Sequence, residues 1–171
     1  MDGRKTYTYL SSGIGGVDIL FVRGTTDKDT ASATIDLKIT GLEELTDGEH
    51  YELVGETAQH RRNHYGTSNT IQKLRMLADS AFADSSWVLQ YNDMSLVNGG
   101  PFDSSPSNHP WDTPHQLHRE GIHVDMRPNS TAGSIISLKW LEDMFSKRNE
   151  WGKVDEEFKG KANHHYHLRM N

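Results

Sequence analysis

The chain reads as an α+β domain, and three observations carry that reading. Apolar and polar residues alternate in Ala33-Thr-Ile-Asp-Leu-Lys-Ile39 and in Gly121-Ile-His-Val-Asp-Met126, the period-two pattern of a strand with one buried face. Apolar residues recur at helical spacing at Ile71, Leu74, Leu77 or Ala78 and Ala81, and again at Ile135, Leu138, Leu141 and Phe145. Hydrophobic residues make up only 34% of the chain, while Gly, Ser, Thr, Asn and Asp are plentiful, which favours a loop-rich fold over a helical bundle. Helices and short antiparallel strands in this order point to α+β.

Residues 1 to 56 read as an N-terminal β segment packed on or appended to the main domain, which runs from 57 to 171. Val17 to Val22 and Ala33 to Ile39 are strands, and Asp47-Gly48 turns the chain into a third at Tyr51 to Val54. Nothing in this segment carries obvious chemistry. Thr67-Ser-Asn-Thr caps a helix that ends by Ser85. Trp87 to Tyr91 is a strand, followed by Asn92-Asp-Met-Ser-Leu96 and a turn at Asn98-Gly-Gly-Pro101. Residues 102 to 117 form a polar loop of the kind that lines sites. The strand at 121 to 126 follows, then a second helix from about Ser130–Ser134 to Asn149, and the tail from Lys161 becomes the last strand. Trp87, Trp140 and Tyr166 read as core.

At 171 residues the chain is long enough for one domain with a real core. Its net charge of −6 argues against nucleic acid as a partner. The absence of cysteine rules out disulfides and thiolate metal sites. Met1-Asp-Gly-Arg-Lys leads into Thr-Tyr-Thr-Tyr rather than an apolar stretch, so no signal peptide is expected in this chain. No run approaches the roughly 18 apolar residues of a membrane span.

Seven of the ten histidines lie between His109 and His167, in two clusters. Histidines gathered in two distant places suggest a metal site closed by separate parts of the chain. On the strand ending at Met126, His123 and Asp125 share a face; near the C-terminus His165 and His167 share another. His118 precedes Asp125 by a stretch that would span more than about 20 Å if extended, so the chain must turn between them, and Gly121 permits it. With His167 the set becomes two imidazoles and a carboxylate. Zinc accepts that set and keeps a fourth position for water, whose pKa falls towards about 7. His165, two residues before His167 on the same face, is placed to act as the base beside that water.

His118-Arg-Glu-Gly-Ile-His-Val-Asp125 and His165-Tyr-His167 together resemble the zinc peptidases grouped as the LAS family, most closely the penicillin-insensitive murein endopeptidases. Tyr65-Gly-Thr67 and Asp93-Met-Ser…Gly-Gly100 extend the resemblance upstream, so that it covers about residue 60 to 171. It implies a small central antiparallel sheet with flanking helices and long active-site loops, and one zinc ion on His118, Asp125 and His167, with His165 as the catalytic histidine. It also implies cleavage of amide bonds in peptidoglycan peptides, and hence a periplasmic, secreted or envelope location. The chain departs from those endopeptidases in carrying Ala162 where they have a further histidine, and in having no cysteine.

His164 occupies the spacing at which related D-Ala-D-Ala peptidases carry a glutamate, yet odd offsets on a strand face away from the ligand's side, which favours His165 as base. His123 and Ser95 are candidates to touch substrate or to support the ligands, and Arg127 or Arg169 to grip a substrate carboxylate. His109 and His115 fall in the polar loop, and His60 and His64 read as local hydrogen-bonding residues. The leading expectation is a zinc endopeptidase for peptidoglycan crosslinks. A D,D- or L,D-carboxypeptidase, a non-catalytic wall-binding module, and a closed metal site with His123 as fourth ligand stand beside it.

Overall fold

The structure, a computed structural model, describes residues 6, 8–10, 15–23, 30–58, 61–100, 117–148 and 151–171. The site is built on a five-stranded sheet of β4 (Tyr51–Leu53), β6 (Leu89–Tyr91), β7 (His123–Met126), β9 (His165–Met170) and β8 (Gly152–Glu157), in that spatial order. The outer pair β4–β6 is parallel and the other pairs are antiparallel, so the sheet is mixed where the sequence suggested an antiparallel one. Two further two-stranded sheets pair β1 (Gly16–Arg23) with β2 (Thr30–Leu37), and β3 (Leu42–Glu44) with β5 (Tyr65–Thr67). The class is α+β, with most of the regular structure in strands.

Residues 1 to 56 divide between two roles. β1 and β2 pair only with each other, leaving Val17, Ile19 and Phe21 exposed on one face. β3 and β4 instead pair with strands beyond residue 56.

The first helix, α1 (Ser68–Ser85), follows the expected pattern closely. The Thr67 hydroxyl accepts from the Thr70 amide at 3.2 Å, satisfying a donor that the first helical turn leaves over. Ser86 ends the helix in the left-handed region at φ 54°. Ile71, Leu74, Leu77, Ala78 and Ala81 are buried together with Tyr91, Val124, Met126, Leu168 and Met170. Each large apolar side chain so buried contributes roughly 1.5–3 kcal/mol. The Tyr91 hydroxyl donates to the Leu74 carbonyl at 2.7 Å, and the Tyr166 hydroxyl to the Ile136 carbonyl at the same distance, so neither buried phenol loses its polar partner. Trp87 and Trp140 are partly buried against this core, edge to face.

The second helix departs from expectation. It is α2, Leu138–Lys147, and Ser137 rather than Ser130–Ser134 caps it, accepting from the Trp140 amide. Residues 128–136 form a tight loop instead: the Gly133 amide bonds the Ser130 carbonyl, Gly133 takes φ 82°, and Asn129 bridges Ile135. Ile135 is consequently 75% exposed, and its neighbour Ile136 is the buried one. The last strand also begins late, because residues 158–164 turn first, with the His164 amide bonding the Lys161 carbonyl. β8 had no apolar alternation to announce it, since Val154 is its single aliphatic residue. Among the described residues no helix is long and apolar enough to cross a membrane.

Candidate metal centre

Alternation along two neighbouring strands places His123, Asp125, His165 and His167 on one face of the sheet. On β7, Val124 and Met126 enter the core, so His123 and Asp125 must point the other way; on β9, Tyr166, Leu168 and Met170 do the same for His165, His167 and Arg169. The register sets Asp125 directly opposite His167, and His123 opposite Arg169. His118 arrives from outside the sheet. The chain reverses at Gly121, whose φ is 73° and whose carbonyl accepts from the Thr67 amide at 2.9 Å. A Cβ there would lie 2.3 Å from Leu42 and 3.1 Å from the backbone of Gly66 and Thr67, so the turn requires glycine for space as well as for dihedral angle.

Three side chains therefore meet. His118 Nε2 lies 3.4 Å from Asp125 Oδ1, and His167 Nδ1 lies 2.8 Å from the same oxygen. All three residues are buried, and one ligand atom from each falls within 4.8 Å of the others; such a group can hold a metal ion. Donors about 2.0–2.2 Å from a tetrahedral ion stand about 3.3–3.5 Å apart, which the His118–Asp125 separation matches. The shorter His167–Asp125 contact is a hydrogen bond, which His167 Nδ1–H donates to the carboxylate. Two imidazole nitrogens and one carboxylate oxygen, desolvated and convergent, fit a borderline divalent cation.

The electrostatics follow from that convergence. Burial alone would push the Asp125 carboxyl up, but hydrogen bonds from His118 and His167 hold it well below the usual carboxylate range. Burial opposes charge on His118 too, yet the adjoining Asp125 and the nearby Asp93 outweigh it and raise that imidazole. For His123, burial and the neighbouring His167, His118 and Arg169 outweigh the pull of Asp125, and it is pushed down to about 4. At neutral pH it carries no charge.

A cleft of about 280 Å³ opens over the group, lined among others by Asn92, Asp93, Arg127, Glu157, His164 and His165. His165 faces it with Nε2, 3.5 Å from Asp125 Oδ2 and 3.4 Å from Glu157 Oε2, while its Nδ1 bonds the Asn163 carbonyl at 2.8 Å. A carbonyl only accepts, so Nδ1 carries the ring proton and Nε2 is the unprotonated nitrogen of the neutral ring. His164 precedes the strand, and strand alternation does not govern it. Its Nε2 bonds Glu156 at 3.0 Å, and it too lines the cleft.

The remaining expected residues separate. Arg127 lines the same cleft, and Arg169 lines a second opening behind His167. Ser95 does not reach the cleft: it is buried, its backbone bridges Tyr65, and its hydroxyl donates to the Leu96 carbonyl. The Asp-Met-Ser segment contributes the Asp93 carboxylate near His118 and also its backbone, where the Asp93 carbonyl accepts from the Asp125 amide at 2.8 Å and the adjoining Asn92 amide donates to the Asp125 carbonyl at 2.7 Å. His64 bonds the Val54 carbonyl, as a local hydrogen-bonding residue should. His60, His109 and His115, with the loop at 102–116, lie outside the described residues. Ala162, where the endopeptidases of the resemblance have histidine, is part of the cleft wall. Sequence reasoning missed Glu157. It belongs to β8, and only the β8–β9 register, with Glu157 opposite His165, brings it in.

No family model matches the chain, and no curated protein matches it.

Proposed function

We propose that the protein is a zinc-dependent peptidase that hydrolyses amide bonds in peptidoglycan peptide crosslinks. The observation that carries the reading is the juxtaposition of His165 Nε2 with the His118–Asp125–His167 group, 3.5 Å from Asp125 on the cleft side. A base next to such a group, without being part of it, suits hydrolysis better than structural metal binding. The resemblance of His118 to Asp125 and of His165 to His167 to the murein endopeptidases supplies the substrate class. Zinc, when bound, would supply Lewis acidity and a water of lowered pKa.

The chain's own residues account for the rest. His118, Asp125 and His167 would hold the ion, and the cleft beside them would take the substrate. His165 takes a proton at Nε2 and hands it to the leaving amine. Asp125 and Glu157 face that nitrogen, so the proton taken up meets negative charge on two sides. The Nδ1–H bond to Asn163 keeps the ring from rotating out of line. An enzyme with this substrate works in the periplasm, outside the cell or in the envelope.

Arg127 in the cleft wall favours a second reading, a carboxypeptidase whose substrate's terminal carboxylate is gripped by a guanidinium. One digest addresses both. Purified muropeptide dimers and monomers are incubated with the zinc-loaded protein, with and without chelator, and the products are weighed by mass spectrometry. Dimers cut to monomers support the endopeptidase, and loss of one terminal amino acid supports the carboxypeptidase. No cleavage under any metal condition sinks both.

A further inference from the structure

His167 is held at both ring nitrogens. Asp125 Oδ1 stands 2.8 Å from Nδ1, and His123 Nδ1 stands 2.8 Å from Nε2. The His123 and His167 rings lie 5.0 Å apart at an interplanar angle of 38°, and both residues are buried. The geometry arises from the sheet: His123 shares Asp125's face of β7, and Asp125 faces His167, so His123 meets His167 on the diagonal.

The two nitrogens of an imidazole point away from each other. A group that touches Nε2 therefore cannot reach an ion held at Nδ1, which removes His123 as a fourth ligand of the same ion. Its position calls for another role. An imidazole that ligates through Nδ1 carries its proton on Nε2, and that N–H needs an acceptor to fix the ring and its tautomer. Asp155, opposite His167 on β8, bonds Lys153 through Oδ1 at 2.6 Å, and the group that meets His167 Nε2 is His123.

We propose that His123 is a positioning residue for the metal centre: once an ion takes the place of the proton at His167 Nδ1, that ring carries its proton on Nε2, and His123 Nδ1 accepts it, holding the tautomer that presents Nδ1 beside Asp125 and His118. The inference rests on the metal reading above. It differs from it in assigning a role to a residue that touches neither ion nor substrate.

Two measurements test it. In the zinc-loaded, ¹⁵N-labelled protein, two-bond proton–nitrogen correlations of the His167 ring are expected to show the proton on Nε2; a proton on Nδ1 overturns the proposal without any variant. Zinc affinity is then measured by competition with a chromophoric chelator. His123→Leu, which removes the acceptor, is expected to weaken binding by about 10- to 100-fold, the usual cost of losing such a partner. His123→Gln, whose amide oxygen accepts, is expected to restore affinity to within a few-fold of the original, a rescue that a space-filling role would not produce. Unchanged affinity in His123→Leu, with zinc still held by the parent protein, overturns the positioning role and leaves the metal reading standing. A parent protein that takes up no zinc overturns both. Should His123→Leu not fold, His123→Gln and the tautomer measurement decide the question.

Discussion

Asp125 and His167 stand directly opposite each other on β7 and β9, with Asp125 Oδ1 2.8 Å from His167 Nδ1. The pairing makes a carboxylate common to both imidazoles of the group, since His118 approaches the same oxygen at 3.4 Å. Asp125 is thus the residue on which the centre depends most.

Replacing it should empty the site. Asp125→Asn keeps size and hydrogen bonding but removes the charge, and zinc affinity is expected to fall by more than about 100-fold, beyond the loss of a supporting residue. Calorimetric titration checks it; one tight zinc per Asp125→Asn chain would move the site elsewhere.

His165 should separate chemistry from metal binding. His165→Ala is expected to lower turnover of muropeptide dimers by about 10²- to 10⁴-fold with zinc content unchanged. Glu157→Gln removes one of the two charges that face Nε2 and should give a smaller loss in the same direction. Equal turnover in His165→Ala and the parent would remove His165 as base.

The metal-free protein should be most stable near pH 6.5. Folding holds His123 at about 4, below its ordinary 6.5, so between those values the unfolded chain binds a proton that the folded one refuses. Stability falls as the pH drops through that window, by on the order of 2–3 kcal/mol. Asp125, held low, adds a loss in the same direction in stronger acid. His118 is raised, so its contribution is complete below the ordinary value and is lost as the pH climbs through the folded one. Urea unfolding of chelator-treated protein should trace both limbs. His123→Gln should flatten the acid limb and His118→Gln the alkaline one; a single monotonic trend in the parent contradicts this account.

Gly121→Ala should damage both fold and site. The new Cβ meets Leu42 and the Gly66–Thr67 backbone at a φ of 73°, and the backbone cannot yield as a side-chain tip can. A loss of about 1–3 kcal/mol in denaturant midpoint analysis is expected, together with weaker zinc binding, because His118 hangs on that turn. Unaltered stability would mean that the turn can be rebuilt without glycine.

Much of this was legible in the residues themselves. Strict alternation announces β7 and the Tyr166–Leu168 face of β9, because a strand with one buried face repeats every two residues, and the shared faces of His123 with Asp125 and of His165 with His167 come with it. Gly121 is legible for a related reason: His118 and Asp125, so close in the chain, can meet only through a reversal. The start of α2 is not. Ile135 continues a helical spacing, but Ser137 caps better than Ser130, and the tight loop at 128–136 claims the intervening backbone.

The chain order alone thus settled which side chains share a face, through the periods of strand and helix. It could not settle which strands lie side by side. β8 carries too few apolar residues to declare itself, yet its pairing with β9 is what sets Glu157 opposite His165 and Asp155 opposite His167. The diagonal from His123 to His167 likewise exists only once β7 and β9 are in register. Register is a property of two segments at once, fixed by the shared burial of Val124 with Leu168 and Met126 with Tyr166, and only the folded sheet expresses it.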